Sequence, residues 1–116
     1  LTVATTPQSG FTLTLPTQDT AGNALTVGQI TSVVFAITAG SATADYSVAV
    51  PATTAVGATI SAKFASLTPP FVPVGNVAYT ADVYAVDAAG NGVPSASISW
   101  TQVAAVPAAP TGFSVG

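Results

Sequence analysis

The 116-residue chain carries one Lys, four Asp and neither His nor Cys, for a net charge of −3. That inventory excludes disulfides, thiolate nucleophiles and the imidazole general base. One cation, Lys63, is also far too few for nucleic-acid phosphates or an anionic membrane surface. Only 4% of residues are charged, against about 25% in ordinary soluble domains, so solubility must rest on Thr, Ser, Asn, Gln and exposed backbone. The mean hydropathy is +0.63, yet Thr, Ser, Gly or Pro breaks every apolar run well short of the roughly 20 residues a spanning helix needs. The length suits a single domain.

In chain order, apolar residues alternate with polar ones at period two, which predicts strands with one buried face. "FTLTL" directs Phe11, Leu13 and Leu15 inward, and "SVVFAIT" does the same for Val33, Phe35 and Ile37. "YSVAV" offers Tyr46, Val48 and Val50, while "TISAKF" offers Ile60, Ala62 and Phe64 with Lys63 facing water. "SLTPPFVPVGN" contains three prolines, which donate no ladder hydrogen bonds, and is expected to cross between sheets with Phe71 and Val72 tucked beneath it. "VAYTADVYA" sends Val77, Tyr79, Ala81, Val83 and Ala85 inward and leaves Asp82 and Tyr84 on the opposite face. "ASISW" ends the series with Ala96, Ile98 and Trp100. Thr, Val, Ile and aromatic residues fill these runs, and Gly, Pro, Asn and Asp cluster between them. The expected fold is therefore all-β, an antiparallel sandwich of about seven strands.

Two phrases, "DTAGN" (19–23) and "DAAGN" (87–91), use half of the acidic residues. A calcium loop gathers six to eight oxygens, usually from several carboxylates, and each phrase supplies one. Turn chemistry explains the same letters: Asp folds onto its own backbone, and Gly and Asn accept positive φ. The turn is the expected role, with no metal and no cofactor assigned.

Residues 67–103 carry a resemblance to a known family. The run Tyr79-Thr-Ala-Asp-Val83-Tyr-Ala85-Val86-Asp87, the Gly90-Asn91 turn and Pro94-Ser95, with Leu67 ahead of the crossover, resemble the second half of a fibronectin type III domain. The D-x-A-G-N turn is similar to one found in bacterial immunoglobulin-like domains, and "PAAPTGFSVG" resembles the opening of a further fibronectin type III domain. The resemblance implies a tyrosine corner at Tyr79, its phenol inward and its hydroxyl bonded to nearby backbone. Departures are plain. Phe35 stands where that family has its core tryptophan, Trp100 lies in the last strand instead, and the crossover before Tyr79 is long. The choice between fibronectin-like and immunoglobulin-like sheet assignments stays open.

The inventory offers a serine no base other than a solvent-facing Lys63 and sets no second acid opposite Asp82 or Asp87, so no catalytic residue is assigned and the chain is not expected to be an enzyme. Tyr84 with Asp82 on the outer face is the candidate ligand contact, since an exposed aromatic with polar neighbours suits a sugar ring or a peptide. Residues 1–106 are expected to form the sandwich. Residues 107–116 are expected to form a Pro-rich linker and a candidate first strand of a following domain, with Phe113 and Val115 packed on an edge strand of this chain or of a neighbouring copy.

Taken together, these features suggest a structural or spacer module, or an interaction module, cut from a larger multidomain secreted or cell-surface protein of bacterial origin. Adhesion or carbohydrate binding is the alternative. The partners expected are neighbouring domains of the same polypeptide, a protein or a glycan, without nucleic acid and without membrane insertion.

Overall fold

A computed structural model describes residues 6–116. Seven strands follow in order: β1 (Gly10–Thr14), β2 (Ser32–Ala39), β3 (Ala42–Ala49), β4 (Thr59–Lys63), β5 (Ala78–Asp87), β6 (Gly90–Asn91) and β7 (Ile98–Thr101), with one 3-10 turn at Phe64–Ser66. They form two antiparallel sheets. One pairs β1 with β4; the other runs β3-β2-β5, with β6 and β7 both pairing to β5.

The sheets face one another across the side chains that period-two alternation directs inward. Phe11, Leu15, Ala62 and Phe64 from one layer meet Val33, Phe35, Ile37, Tyr79 and Ala81 from the other, all buried in one cluster. Aromatic rings form the seam between the layers. Phe11 stacks on Phe35 at 4.6 Å and meets the edge of Phe64 at 4.9 Å, while Trp100 stacks over Tyr79 at 5.4 Å. Phe71 reaches in from the crossover, edge-on to Phe64, Tyr79 and Tyr46. Burying each such ring contributes roughly 1.5–3 kcal/mol, with about 0.5–1.5 kcal/mol more for favourable ring pairs.

The crossover meets its expectation only at Phe71. Val72 is 80% exposed, not tucked beneath. The reason is local geometry. Thr68 exchanges two backbone hydrogen bonds with Ser47, fixing the segment against the outer edge of β3, and Phe71 N–H donates to Phe64 O. With Phe71 turned inward by that anchor, its extended neighbour Val72 faces out. Tyr79 is buried, and its hydroxyl oxygen accepts a 2.9 Å hydrogen bond from Val74 N–H, five residues upstream.

A polar clamp closes the same end of the sandwich. Gln102, 3% exposed, continues the inward side of β7 beyond Trp100. Its side-chain oxygen accepts from Trp100 Nε1 at 3.0 Å, and its amide nitrogen donates to Gln8 O at 3.0 Å. Val103 N–H donates in turn to Gln8 Oε1 at 2.9 Å. Every polar atom of this buried amide that needs a partner has one, as burial demands.

Ala96 and Ile98 depart from expectation. Ile98 faces Ala81 across the β5–β7 ladder, on the inner side, yet it is 55% exposed, and Ala96 is exposed as well. The alternation is in phase; what is missing is a layer above it, because the two-stranded sheet is narrower than the five-stranded one. The tail departs too: Phe113 and Val115 are 96% and 100% exposed, so they pack on no sheet of their own chain.

Two substitutions test this account. Tyr79→Phe removes one hydrogen bond and is expected to lower stability by about 1 kcal/mol in denaturant unfolding, with no change in the m-value. Gln102→Leu strands the Trp100 indole N–H and the Gln8 carbonyl and should cost about 1–3 kcal/mol. An unfolding midpoint equal to wild type in either variant would contradict the corresponding contact.

Candidate functional site

The outer face of the five-stranded sheet holds the residues singled out from sequence. Asp82 lies opposite Ala36, whose other neighbour is Asp45, and Tyr84 lies opposite Val34, whose other neighbour is Ser47. Directly opposed residues share a face, and Phe35 and Val83 between them point inward, so Asp82 and Tyr84 do sit together on the outside. Both are half-buried. Next to them runs a row of hydroxyls: Thr80 is bonded to Ser99 at 3.1 Å, and Thr38 to Thr43 at 2.8 Å. The face is weakly acidic, with Asp45 and Asp82 on it, and Tyr84 lies within it among the neighbouring strands.

The two Asp-Gly-Asn phrases are turns. Asp19 Oδ1 accepts from Ala21 N–H and from Asn23 N–H, both at 2.9 Å, while Asp19 N–H donates to Asn23 O at 2.8 Å. Gly22 closes the bend at φ +83°, where a side chain would be strained. Asp87 pairs with Gly90 to open the β5–β6 hairpin, and its Oδ1 accepts from Ala89 N–H at 2.8 Å. Its other oxygen accepts from Gln29 Nε2 at 3.4 Å, tying the hairpin to the loop before β2. One carboxylate thus does in each phrase what the turn reading requires. Among the described residues no three acidic, His or Cys side chains gather as a metal site.

Between the layers lies a feature that sequence did not reveal, an open groove of about 840 Å3. Its floor is the inner face of β5 and β7, with Val83, Ala85 and Ile98; one wall is β1, with Leu13 and Leu15; and Asp19, Asp87 and Gln29 stand at one mouth. Val83 and Ala85 are only half-buried although they point inward. Among the described residues β1 pairs with β4 on one edge and with no strand on the other. Exposed apolar floor and unpaired edge have one origin, the narrowness of the β1–β4 sheet. The volume falls in the range of ligand sites, and the lining mixes aliphatic side chains with the rings of Phe11 and Phe35 and with Thr12, Thr14 and Gln18 along the edge of β1 and beyond it.

Hydrogen bonds from its own turn hold the Asp19 carboxyl below the usual aspartate range; that from Asn23 N–H leads, against an opposing effect of desolvation, and Ala21 N–H adds to it. Lys63 is exposed on β4, on the face away from the core. Gln102 and Gln8 were not singled out from sequence, although a polar residue two positions beyond Trp100 on the inward phase was a signal of a buried amide.

Compared with protein-family models, with curated proteins and with solved structures, the chain matches none.

The lowered carboxyl of Asp19 sets a direction with pH. Its contribution to the 19–23 loop is present above the unfolded-state pKa and is lost as pH falls through the lower folded-state value. Carboxyl-detected NMR titration should therefore find Asp19 titrating below the ordinary aspartate range, with the Ala21 and Asn23 amide signals moving in the same transition. Titration at or above the ordinary range would contradict these hydrogen bonds.

Proposed function

We propose that the chain is a non-catalytic structural module, a spacer or interaction unit of a larger secreted or cell-surface protein, with a fold of the fibronectin type III or immunoglobulin-like kind. The observation that carries this reading is how the chain leaves the sandwich. Asn76 N–H donates to Gln102 O, and Ala104 packs so closely on Gly75 that a Cβ there would lie 2.6 Å from the Ala104 methyl. The root is thus clamped. From Ala105 onward every residue is exposed, and Pro107 and Pro110 stiffen the segment. The radius of gyration is 18.0 Å, against about 13 Å for a compact domain of this length, and the long axis reaches 71 Å. A firmly rooted, Pro-containing extension fits a connector between units.

Three further features support the family reading: strand order β3-β2-β5-β7 facing β1-β4, chain crossings between layers at β1–β2, β3–β4 and β4–β5, and the hydroxyl of Tyr79 bonded to backbone upstream. The polar groups speak for architecture over chemistry. Asp19 and Asp87 serve their own turns, Gln102 ties the segment after β7 to the segment before β1, and Tyr79 holds the crossover.

A glycan array probed with the intact chain separates this reading from carbohydrate recognition. The spacer reading expects no saturable binding, and no difference between wild type and Tyr84→Ala. Saturable binding of one glycan class that Tyr84→Ala abolishes would replace it with a carbohydrate-binding module acting through the outer face.

A further inference from the structure

The groove and the tail are complementary, and among the described residues nothing covers either. Four of the five phenylalanines lie in the buried core, and the fifth, Phe113, is 96% exposed. It belongs to Thr111–Val115, a Pro-free run of five residues behind a Pro-containing linker; in the single molecule the run bends at Thr111–Gly112, with Gly112 at φ +70°, and straightening that bend would set Phe113 and Val115 on one side and Ser114 on the other. The edge of β1 that no strand among the described residues pairs is also five residues long. We propose that Thr111–Val115 of one copy adds as a strand to the free edge of β1 in a second copy, setting Phe113 and Val115 over Val83, Ala85 and Ile98. This deepens the connector role proposed above and rests on it for the purpose of the tail.

Direction explains why the acceptor is another copy. The tail is rooted beside Gln8, at the start of β1, by the bond from Val103 N–H to Gln8 Oε1. If it ran straight along its own β1 edge, residues 104–109 would lie there, including Pro107, which has no N–H to donate. Eight residues from Val103 to Thr111 extend about 26 Å, beyond the roughly 17 Å of a five-residue strand, so Phe113 would overshoot the groove. A second copy requires no reversal. Its groove is open at the mouth opposite its own tail root, where Asp19 and Asp87 stand, and a strand entering there runs antiparallel to β1. Donor and acceptor surfaces differ, so the contact is head-to-tail and propagates into chains of copies. Strand addition of this kind draws affinity from main-chain hydrogen bonds and specificity from alternate side chains in pockets.

Sedimentation velocity over a concentration series tests it with three full-length proteins: wild type, the double variant F113D/V115D, and I98D. Both altered regions are solvent-exposed in the single molecule, so the variants are expected to keep the wild-type circular dichroism and unfolding midpoint. Wild type should grow through dimers to longer species as concentration rises, and each variant alone should associate at least about tenfold more weakly. Mixed one to one, the variants should stop at a dimer, because one retains the groove and the other the tail. Wild type that stays monomeric to about 1 mM would overturn the proposal, and so would F113D/V115D associating as strongly as wild type. Association abolished by removing residues 1–5, with the tail intact, would assign the contact to the start of the chain and also overturn it. None of these outcomes bears on the glycan array, so this inference and the spacer reading fail separately.

Discussion

The structure depends on a seam of aromatic rings between two layers of extended chain. With 4% charged residues, the fold has few ion pairs to draw upon, and its order must come from apolar burial and backbone pairing. Phe11 and Phe64 from the narrow sheet, Phe35, Tyr79 and Trp100 from the broad one, and Phe71 from the crossover supply that seam. These rings have few rotatable bonds, so they lose little entropy for the area they bury. The polar bonds at the periphery then hold the seam in register: Tyr79 to Val74, Gln102 to Trp100 and Gln8, Ser47 to Thr68.

The inequality of the layers follows from the same arrangement. The rings occupy the end of the sandwich where β7, the crossover and the clamp converge; toward the opposite end the inward positions are aliphatic, with Leu15, Val33 and Val50 buried and Leu13, Val83 and Ala85 only half-covered. There, among the described residues, the two-stranded layer leaves part of its partner uncovered. An inner face without a cover and an edge without a partner are usually protected in monomeric proteins. Among the described residues both occur in a molecule whose tail leaves Phe113 and Val115 fully exposed.

Much of the architecture was legible in sequence because period-two alternation is a local property. Phe11, Val33, Phe35, Ile37, Ala62 and Tyr79 are buried as their phase requires, and the Asp19 and Asp87 phrases form turns as their letters require. What alternation cannot supply is the extent of the opposing layer. Ile98 has the right phase and still meets solvent, and Val72 follows the anchor between Thr68 and Ser47, a contact made across 21 residues. The groove is likewise a property of how many strands face one another, and no single run of residues encodes it. Tyr84 and Asp82 illustrate the reverse: sequence placed them on the outer face correctly, while their half-buried setting among neighbouring strands comes from register.

A double-mutant cycle across the seam, with Phe11→Leu, Phe35→Leu and the double variant measured by denaturant unfolding, tests whether the stacked rings truly join the layers. The account predicts a coupling energy of about 0.5–1.5 kcal/mol between the two positions. Additive losses, equal within about 0.3 kcal/mol, would show that the sheets are not held together by this contact.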